Sequence, residues 1–179
     1  MKYSELELKY ARPIANAILE DASFRNWILK GTDFEVVAAE AIPVGEAQGK
    51  LRSRNLKNPY WFNYWCGRDS NCMCRAKEGG IETDILIVLK LAENDCLALH
   101  VEIKRPGDNL GCGQAESYPR RGACWANPET RPKTVYPHKY FMTLLVCGRD
   151  LQGNRDISQF DRVIFHDEVM NLISPYPEE

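Results

Sequence analysis

The stretch Ile81-Glu82-Thr83-Asp84-Ile85-Leu86-Ile87-Val88-Leu89-Lys90-Leu91 and the stretch Leu97-Ala98-Leu99-His100-Val101-Glu102-Ile103-Lys104 decide how this chain is read. Ile85, Ile87, Leu89 and Leu91 alternate with other residues, as do Leu97, Leu99, Val101 and Ile103, so each stretch predicts a strand that buries its odd-numbered face. Ala92-Glu93-Asn94-Asp95 supplies turn chemistry between them. For both odd faces to lie together, opposed residue numbers must add to an even value. A turn centred near Glu93 sets Asp84 opposite Glu102, and the next even register sets Asp84 opposite Lys104. Either one gathers Asp84, Glu102 and Lys104 on the even face, and a one-residue slip would invert both faces.

Like charges facing each other across a sheet are destabilising, so two opposed carboxylates call for a positive partner. A hard cation with oxygen ligands fits, since Mg²⁺ takes one or two carboxylates together with water and substrate phosphate. Lys104 follows Glu102 by two residues and hangs over the same face. There it can orient or deprotonate a water, or stabilise charge on a phosphate. A solvated hairpin face with an ordinary cross-strand ion pair is the competing reading of the same charges.

Gln114 and Tyr118 are four apart and share a helix face if Gly113 opens a helix. Asp84, then Glu102-Ile103-Lys104, then Gln114-Ala115-Glu116-Ser117-Tyr118 resembles, in that order, the PD-(D/E)xK nuclease superfamily and its subgroup with a Gln-x-x-x-Tyr motif. The resemblance spans roughly residues 1 to 148. It departs from the pattern in lacking a proline before Asp84 and in carrying Pro119 directly after Tyr118, which is expected to kink or shorten the helix. It implies an α/β, restriction-endonuclease-like α-β-β-β-α-β core, a central mixed sheet flanked by helices. It also implies Mg²⁺ or Mn²⁺ on Asp84, Glu102 and the Ile103 carbonyl, with Lys104 acting on the attacking water and Gln114 and Tyr118 orienting the lysine region. The superfamily tends to place an acid on its first helix. Here Glu7 falls inside the apolar stripe of Tyr3, Leu6, Tyr10, Ile14, Ala17 and Ile18, although a glutamate snorkelling to water fits that position too.

The 179 residues are read as a single domain, residues 1–179, with a cysteine-, basic- and aromatic-rich insertion around 45–78. Net charge is only −2, but its distribution is uneven. Residues 49–77 hold seven Lys or Arg against one Asp, and residues 104–139 hold seven against three acids, whereas residues 78–103 hold six acids against one Lys. An acidic site between two basic segments suits a phosphate backbone, with Arg52, Arg54, Arg120 and Arg121 as the favoured contacts. Plain solvated surface is the other reading of such runs.

The first residues are polar and acidic, so no signal peptide is expected, and no run approaches the roughly 18 apolar residues of a membrane span. Seven cysteines without an export signal point to reduced thiols in a cytoplasmic setting. Cys66, Cys72 and Cys74 precede the hairpin, and Cys112 and Cys124 bracket the Gln–Tyr helix. Four of these five could hold structural Zn²⁺ or an iron–sulfur cluster, or all could be free, partly buried thiols. Cys96 and Cys147 read as core. His100 lies on the active face as a phosphate or supporting contact, while His138 and His166 read as having bland roles. No Gly-rich phosphate loop supports an NTPase.

Elsewhere the pattern predicts a bipartite helical start over 4–29 capped at Asp21 or Ser23, and a strand over 34–42. A basic loop follows over 45–58, then a strand or insertion over 60–65. Strands are predicted over 140–147 and 160–165, and a last helix over 167–173 with an acidic first turn. The expectation for function is a metal-dependent nuclease, a hydrolase of DNA phosphodiester bonds. A homodimer or partner subunit would suit an endonuclease cutting both strands, and no membrane is involved. The alternatives are a non-catalytic nucleic-acid-binding protein of the same fold and an interaction module organised by a cysteine-bound metal.

Overall fold

The computed structural model describes residues 3–52, 57–66, 72, 74, 81–91 and 95–177. Two helices open it, α1 (Tyr3–Glu20) and α2 (Ala22–Leu29). Of the two expected caps it is Asp21 that serves, its carboxylate accepting from the Ser23 and Phe24 amides. The chain then runs through β1 (Ile42–Pro43), α3 (Gly45–Leu51), β2 (Phe62–Cys66), β3 (Ile81–Lys90), β4 (Cys96–Ile103), α4 (Gln114–Ala126), β5 (Tyr140–Cys147), β6 (Arg162–Phe165) and α5 (His166–Met170). The result is α/β with a mixed six-stranded sheet flanked by helices.

The sheet runs β1-β3-β4-β5-β6, with β2 also paired to β3. The β3–β4 ladder is antiparallel, and its opposed residue numbers add to 186 from Lys90–Cys96 to Ile85–Val101. Of the two registers open to the sequence, this is the one that sets Asp84 against Glu102. β4–β5 and β5–β6 are parallel, and α4 makes the crossover that a parallel pair requires.

Both faces of the sheet are covered. The odd-numbered residues of β3 and β4 pack on Ala11, Ile14, Ala15 and Ile18 of α1 and on Phe24, Ile28 and Leu29 of α2. On the even face, Leu86, Val88 and Ala98 pack with Tyr64, Cys124 and Trp125. The hairpin is therefore not solvated on one side. Its buried charged residues, Asp84 and Glu102, lie at the end where β3 begins and β4 finishes, with Lys104 just beyond, while Lys90 at the turn end is exposed. Gly122 is what lets α4 lie close, since a Cβ there would collide with the Phe141 ring.

Three local expectations are corrected. Residues 34–42 do not form a strand; Glu35–Glu40 is a 3₁₀ turn leading into the short β1. Phe34, Val37, Ala38 and Ala41 bury at helical spacing while Val36 is 91% exposed, so the β-branched pair concealed a helical pattern. Residues 45–51 are the helix α3 rather than a basic loop. Its two glycines lie against Tyr60, and buried Gln48 donates to the Leu86 carbonyl (2.7 Å) and accepts from the Val88 amide (3.1 Å). Pro119 does not shorten α4, which runs on to Ala126. The proline lies inside the helix and gives up the bond its missing N–H would make to the Ala115 carbonyl. The aromatic stretch 62–66 is a strand of the sheet itself. Among the described residues, no helix is long and apolar enough to cross a membrane.

Candidate functional site

The end of the hairpin brings together the acids, the lysine and the Gln–Tyr pair. Glu102 is almost fully buried and accepts from three side chains. Gln114 Nε2 (2.5 Å) and Lys104 Nζ (2.8 Å) reach its Oε1, and the Tyr118 hydroxyl donates to its Oε2. Gln114 is itself oriented, because its Oε1 accepts from the Gly111 amide at 2.9 Å. Helical spacing does this work: residues 114, 118, 121 and 125 of α4 follow one another at four, three and four, and so turn one face to the sheet.

Asp84 lies on the adjoining strand, and its Oδ2 accepts from the Ile103 amide at 2.7 Å. Burial, and then the charge on Glu102, push its acid dissociation well above the ordinary carboxylate range, against the opposing pull of the Ile103 N–H. The Tyr118 hydroxyl is pushed up for the same two reasons. Glu7 of α1 is half-buried and repels both Asp84 and Glu82, so the first helix does carry its acid toward this site.

Two contributors escaped the sequence reading. Glu82 has the parity of Asp84 on β3, and that was the available signal. Burial and repulsion from Glu7 and Glu102 raise its carboxyl to about 7, opposed by Arg121 and Lys104. Its buried Oε1 has no hydrogen-bond partner among the described residues. The second is His166, whose place at a strand end suggests only a bland role. It is fully buried, its Nε2–H donates to the Lys104 carbonyl at 2.8 Å, and its Nδ1 meets the Tyr176 hydroxyl at 2.7 Å. With the Lys104 amide donating to Val146 O at 2.8 Å, the lysine backbone is held from both sides. No local pattern in the sequence announces a partner 62 residues away.

The expected phosphate contacts divide. Arg120 is exposed, within 3.8 Å of Glu116. Arg121 is 0% exposed, its guanidinium stacked 4.0 Å over the Tyr118 ring. None of its three nitrogens has a hydrogen-bond partner among the described residues. It is an interior charge balancing Glu82 and not a surface contact. Arg52 stacks 3.9 Å over Tyr64 and donates to the Phe62 carbonyl at 3.0 Å, so it too is committed to the fold. Arg54 lies outside the described residues. His100 is fully buried against Trp125, His138 and Phe141 rather than facing a phosphate, and burial drives its imidazole well below the usual range.

The cysteines resolve into one group. The sulfurs of Cys66, Cys72, Cys74 and Cys124 all lie within 4.8 Å of one another, all four are buried, and they could hold a metal ion. Cys112 is exposed and stands apart from them. The Cys66 thiol is drawn down to about 5 by hydrogen bonds from Cys74, Cys72 and Trp125 against the opposing effect of burial, whereas burial pushes Cys72 up to about 11. Among the described residues this is the one group of three or more ligating side chains drawn so tightly together. The carboxylates around Lys104 are spread more widely.

No protein-family model matches the chain, and no curated protein or solved structure matches it either.

Proposed function

We propose that this protein is a metal-dependent nuclease that hydrolyses DNA phosphodiester bonds, with a core of the restriction-endonuclease-like kind. The observation that carries the reading is the convergence on Glu102. Lys104, Gln114 and Tyr118 each reach its carboxylate, and Asp84 lies on the neighbouring strand. These are the motif residues, brought from two strands and a helix. The order α1, β2-β3-β4, α4, β5 is compatible with the α-β-β-β-α-β core.

The donor set suits a hard cation. Glu7, Glu82, Asp84 and Glu102 act electrostatically on one another, and Lys104 with interior Arg121 leaves them in negative excess. The Glu82 Oε1, without a hydrogen-bond partner among the described residues, adds a further oxygen. Asp84 and Glu102 would hold Mg²⁺ or Mn²⁺, with the Ile103 carbonyl as a third oxygen. The ion would neutralise charge developing on the phosphate and make water a better nucleophile.

The chain's own residues do the rest. Lys104 carries a proton and a positive charge at the position where the phosphate would turn its oxygens, fixed there by Glu102 and by the two bonds to its backbone. Gln114 and Tyr118 keep the Glu102 carboxylate in one orientation, so the separation of acid and lysine is set before substrate arrives. Exposed Arg120 lies on the same helix and is suited to a backbone phosphate. The four-thiol group stands outside this chemistry, a structural site for which Zn²⁺ and an iron–sulfur cluster are the candidate occupants.

The test is cleavage of supercoiled plasmid and of labelled single-stranded DNA in Mg²⁺, Mn²⁺ or EDTA, with wild type beside Lys104→Met. Metal-dependent cutting, reduced at least about a thousandfold in a folded Lys104→Met protein, is the expected result. Equal cutting by the variant, or none by folded wild type with any of these substrates, refutes the assignment.

A further inference from the structure

The four buried thiols join parts of the chain far apart in sequence. Cys66 ends β2, Cys72 and Cys74 lie on the connection from β2 to β3, and Cys124 lies in the last turn of α4. Cys66 and Cys72 sulfurs are 2.8 Å apart, and those of Cys72 and Cys124 are 3.8 Å apart. None of the four is in a disulfide. Amide and indole donors point at the sulfurs rather than away from them. The Cys74 N–H donates to Cys72 Sγ at 3.3 Å, and the Trp125 indole N–H donates to Cys66 Sγ at 3.2 Å. Such donors favour thiolates and orient them, as outer-shell partners do at metal centres.

Spacing discriminates between occupants. A tetrahedral ion with Zn–S bonds of about 2.3 Å sets its four sulfurs about 3.8 Å apart along every edge. All four sulfurs here fall within 4.8 Å of one another, with Cys72–Cys124 at 3.8 Å and Cys66–Cys72, at 2.8 Å, the edge that has to open on binding. An iron–sulfur cluster distributes its four thiolates over different irons and needs a wider spread. The set is also closed. Four thiolates fill a tetrahedron and leave no position for water or substrate, which marks a structural site rather than a catalytic one.

We propose that Cys66, Cys72, Cys74 and Cys124 bind one Zn²⁺ ion that fastens the β2–β3 connection to the C-terminal turn of α4, and thereby fixes the helix that presents Gln114 and Tyr118 to Glu102. This goes beyond the nuclease reading and does not depend on it. No covalent or redox step is involved: the thiols release their protons on binding and zinc keeps its charge.

The experiment is elemental analysis and zinc-edge X-ray absorption on the full chain, purified from cells without chelator and with any affinity tag removed. One zinc per chain with four sulfur neighbours at about 2.3 Å is expected. Cys112→Ser should retain it, whereas Cys72→Ser and Cys124→Ser should each lose at least nine-tenths of it. Where those variants fail to fold, the wild-type metal content and absorption spectrum decide alone. Iron with acid-labile sulfide, zinc bound through nitrogen or oxygen, or a metal-free folded protein with free or disulfide-paired thiols would each overturn the assignment. The anchoring role is read by amide hydrogen exchange after zinc is stripped with a chelator. Exchange across 114–126 should speed up at least tenfold while that of α1 changes little. Equal protection of α4 with and without zinc would overturn that part. Neither readout uses DNA, so an inactive nuclease would leave the zinc result standing, and the reverse also holds.

Discussion

Replacing Glu82 by Gln should make the metal-free protein more stable, by an amount that is near zero at acid pH, grows toward pH 7 and persists above it. The carboxyl of Glu82 is raised from an ordinary 4.5 to about 7 by burial and by Glu7 and Glu102. A group held above its unfolded value binds its proton more tightly in the folded state. Wild-type stability is therefore whole below about pH 4.5, falls as pH rises toward 7, and stays reduced above it. At ~1.36 kcal/mol per tenfold factor, the displacement corresponds to ~3.4 kcal/mol. Glu82 is only half-buried, and solvent screening reduces that figure to roughly 1–2 kcal/mol. Glutamine keeps the shape and removes the charge, so it should recover that amount at pH 8. For a chain of 179 residues this is about 2–8 °C in midpoint temperature. The assay is thermal unfolding of both proteins from pH 4.5 to 8.5 in EDTA, followed by a titration with Mg²⁺ at pH 8. The difference should be near zero at the acid end, grow through pH 5 to 7, and then level off. Mg²⁺ should stabilise the wild type more than the variant, because the ion relieves the same repulsion. A variant less stable than wild type at pH 8, or a difference that ignores pH, would show that Glu82 does not share the field of the other acids.

Tyr118→Phe removes the donor to Glu102 Oε2 and leaves that buried oxygen with one bond fewer. It should cost about 1.5–3 kcal/mol in denaturant unfolding, and a cost near zero would mean that water takes the place of the hydroxyl. His166→Phe keeps the ring that packs against Tyr10 but removes the donor to the Lys104 carbonyl. A loss of about 1–3 kcal/mol is expected, together with reduced cleavage at unchanged DNA binding. Full activity in that variant would show that the lysine does not need its backbone held from this side.

How much of this was legible depended on whether the relevant spacing was local. The hairpin register followed from alternation, because one face had to be apolar throughout and only two even registers met that condition. Glu82 carries the same signal as Asp84, the even parity of β3, but the superfamily pattern assigns a role to one acid on that strand only. Arg120 and Arg121 read as a pair in the sequence, yet a helix separates neighbours by about 100°. Position 121 falls on the face of Tyr118, while position 120 turns to solvent. The same spacing rule identifies Phe34, Val37, Ala38 and Ala41 as a helical face where β-branched residues suggested a strand. By contrast, nothing local relates His166 to Lys104, or separates Cys124 from Cys112 as the fourth thiol. Those pairings exist only because β5 and β6 add in parallel beside β4 and because α4 has the length to carry Cys124 across the sheet.

The length of α4 also connects the two sites physically. Tyr118 and Cys124 are six residues apart, about 9 Å along the axis. Hydrogen bonds at one end and a thiol cluster at the other therefore act on a single short rod. Between them lies Arg121, buried without hydrogen-bond partners among the described residues and balanced by Glu82 and the Tyr118 ring. Such a group is costly to bury and offers little to hold a helix in one position. Nor does Gly122, whose value is that it permits close approach. Apolar packing of Trp125 on Leu86, Val88 and Ala98 and of Tyr118 on Phe160 holds the helix against the sheet, and the contacts at its two ends add the directional restraint along its axis. If the thiol end were released, a slide of even 1 Å would break the contacts of Gln114 and Tyr118 with Glu102, since hydrogen bonds weaken steeply with misalignment. The carboxylate would then turn toward Lys104 alone, and the acid–lysine geometry on which hydrolysis depends would cease to be set by the fold.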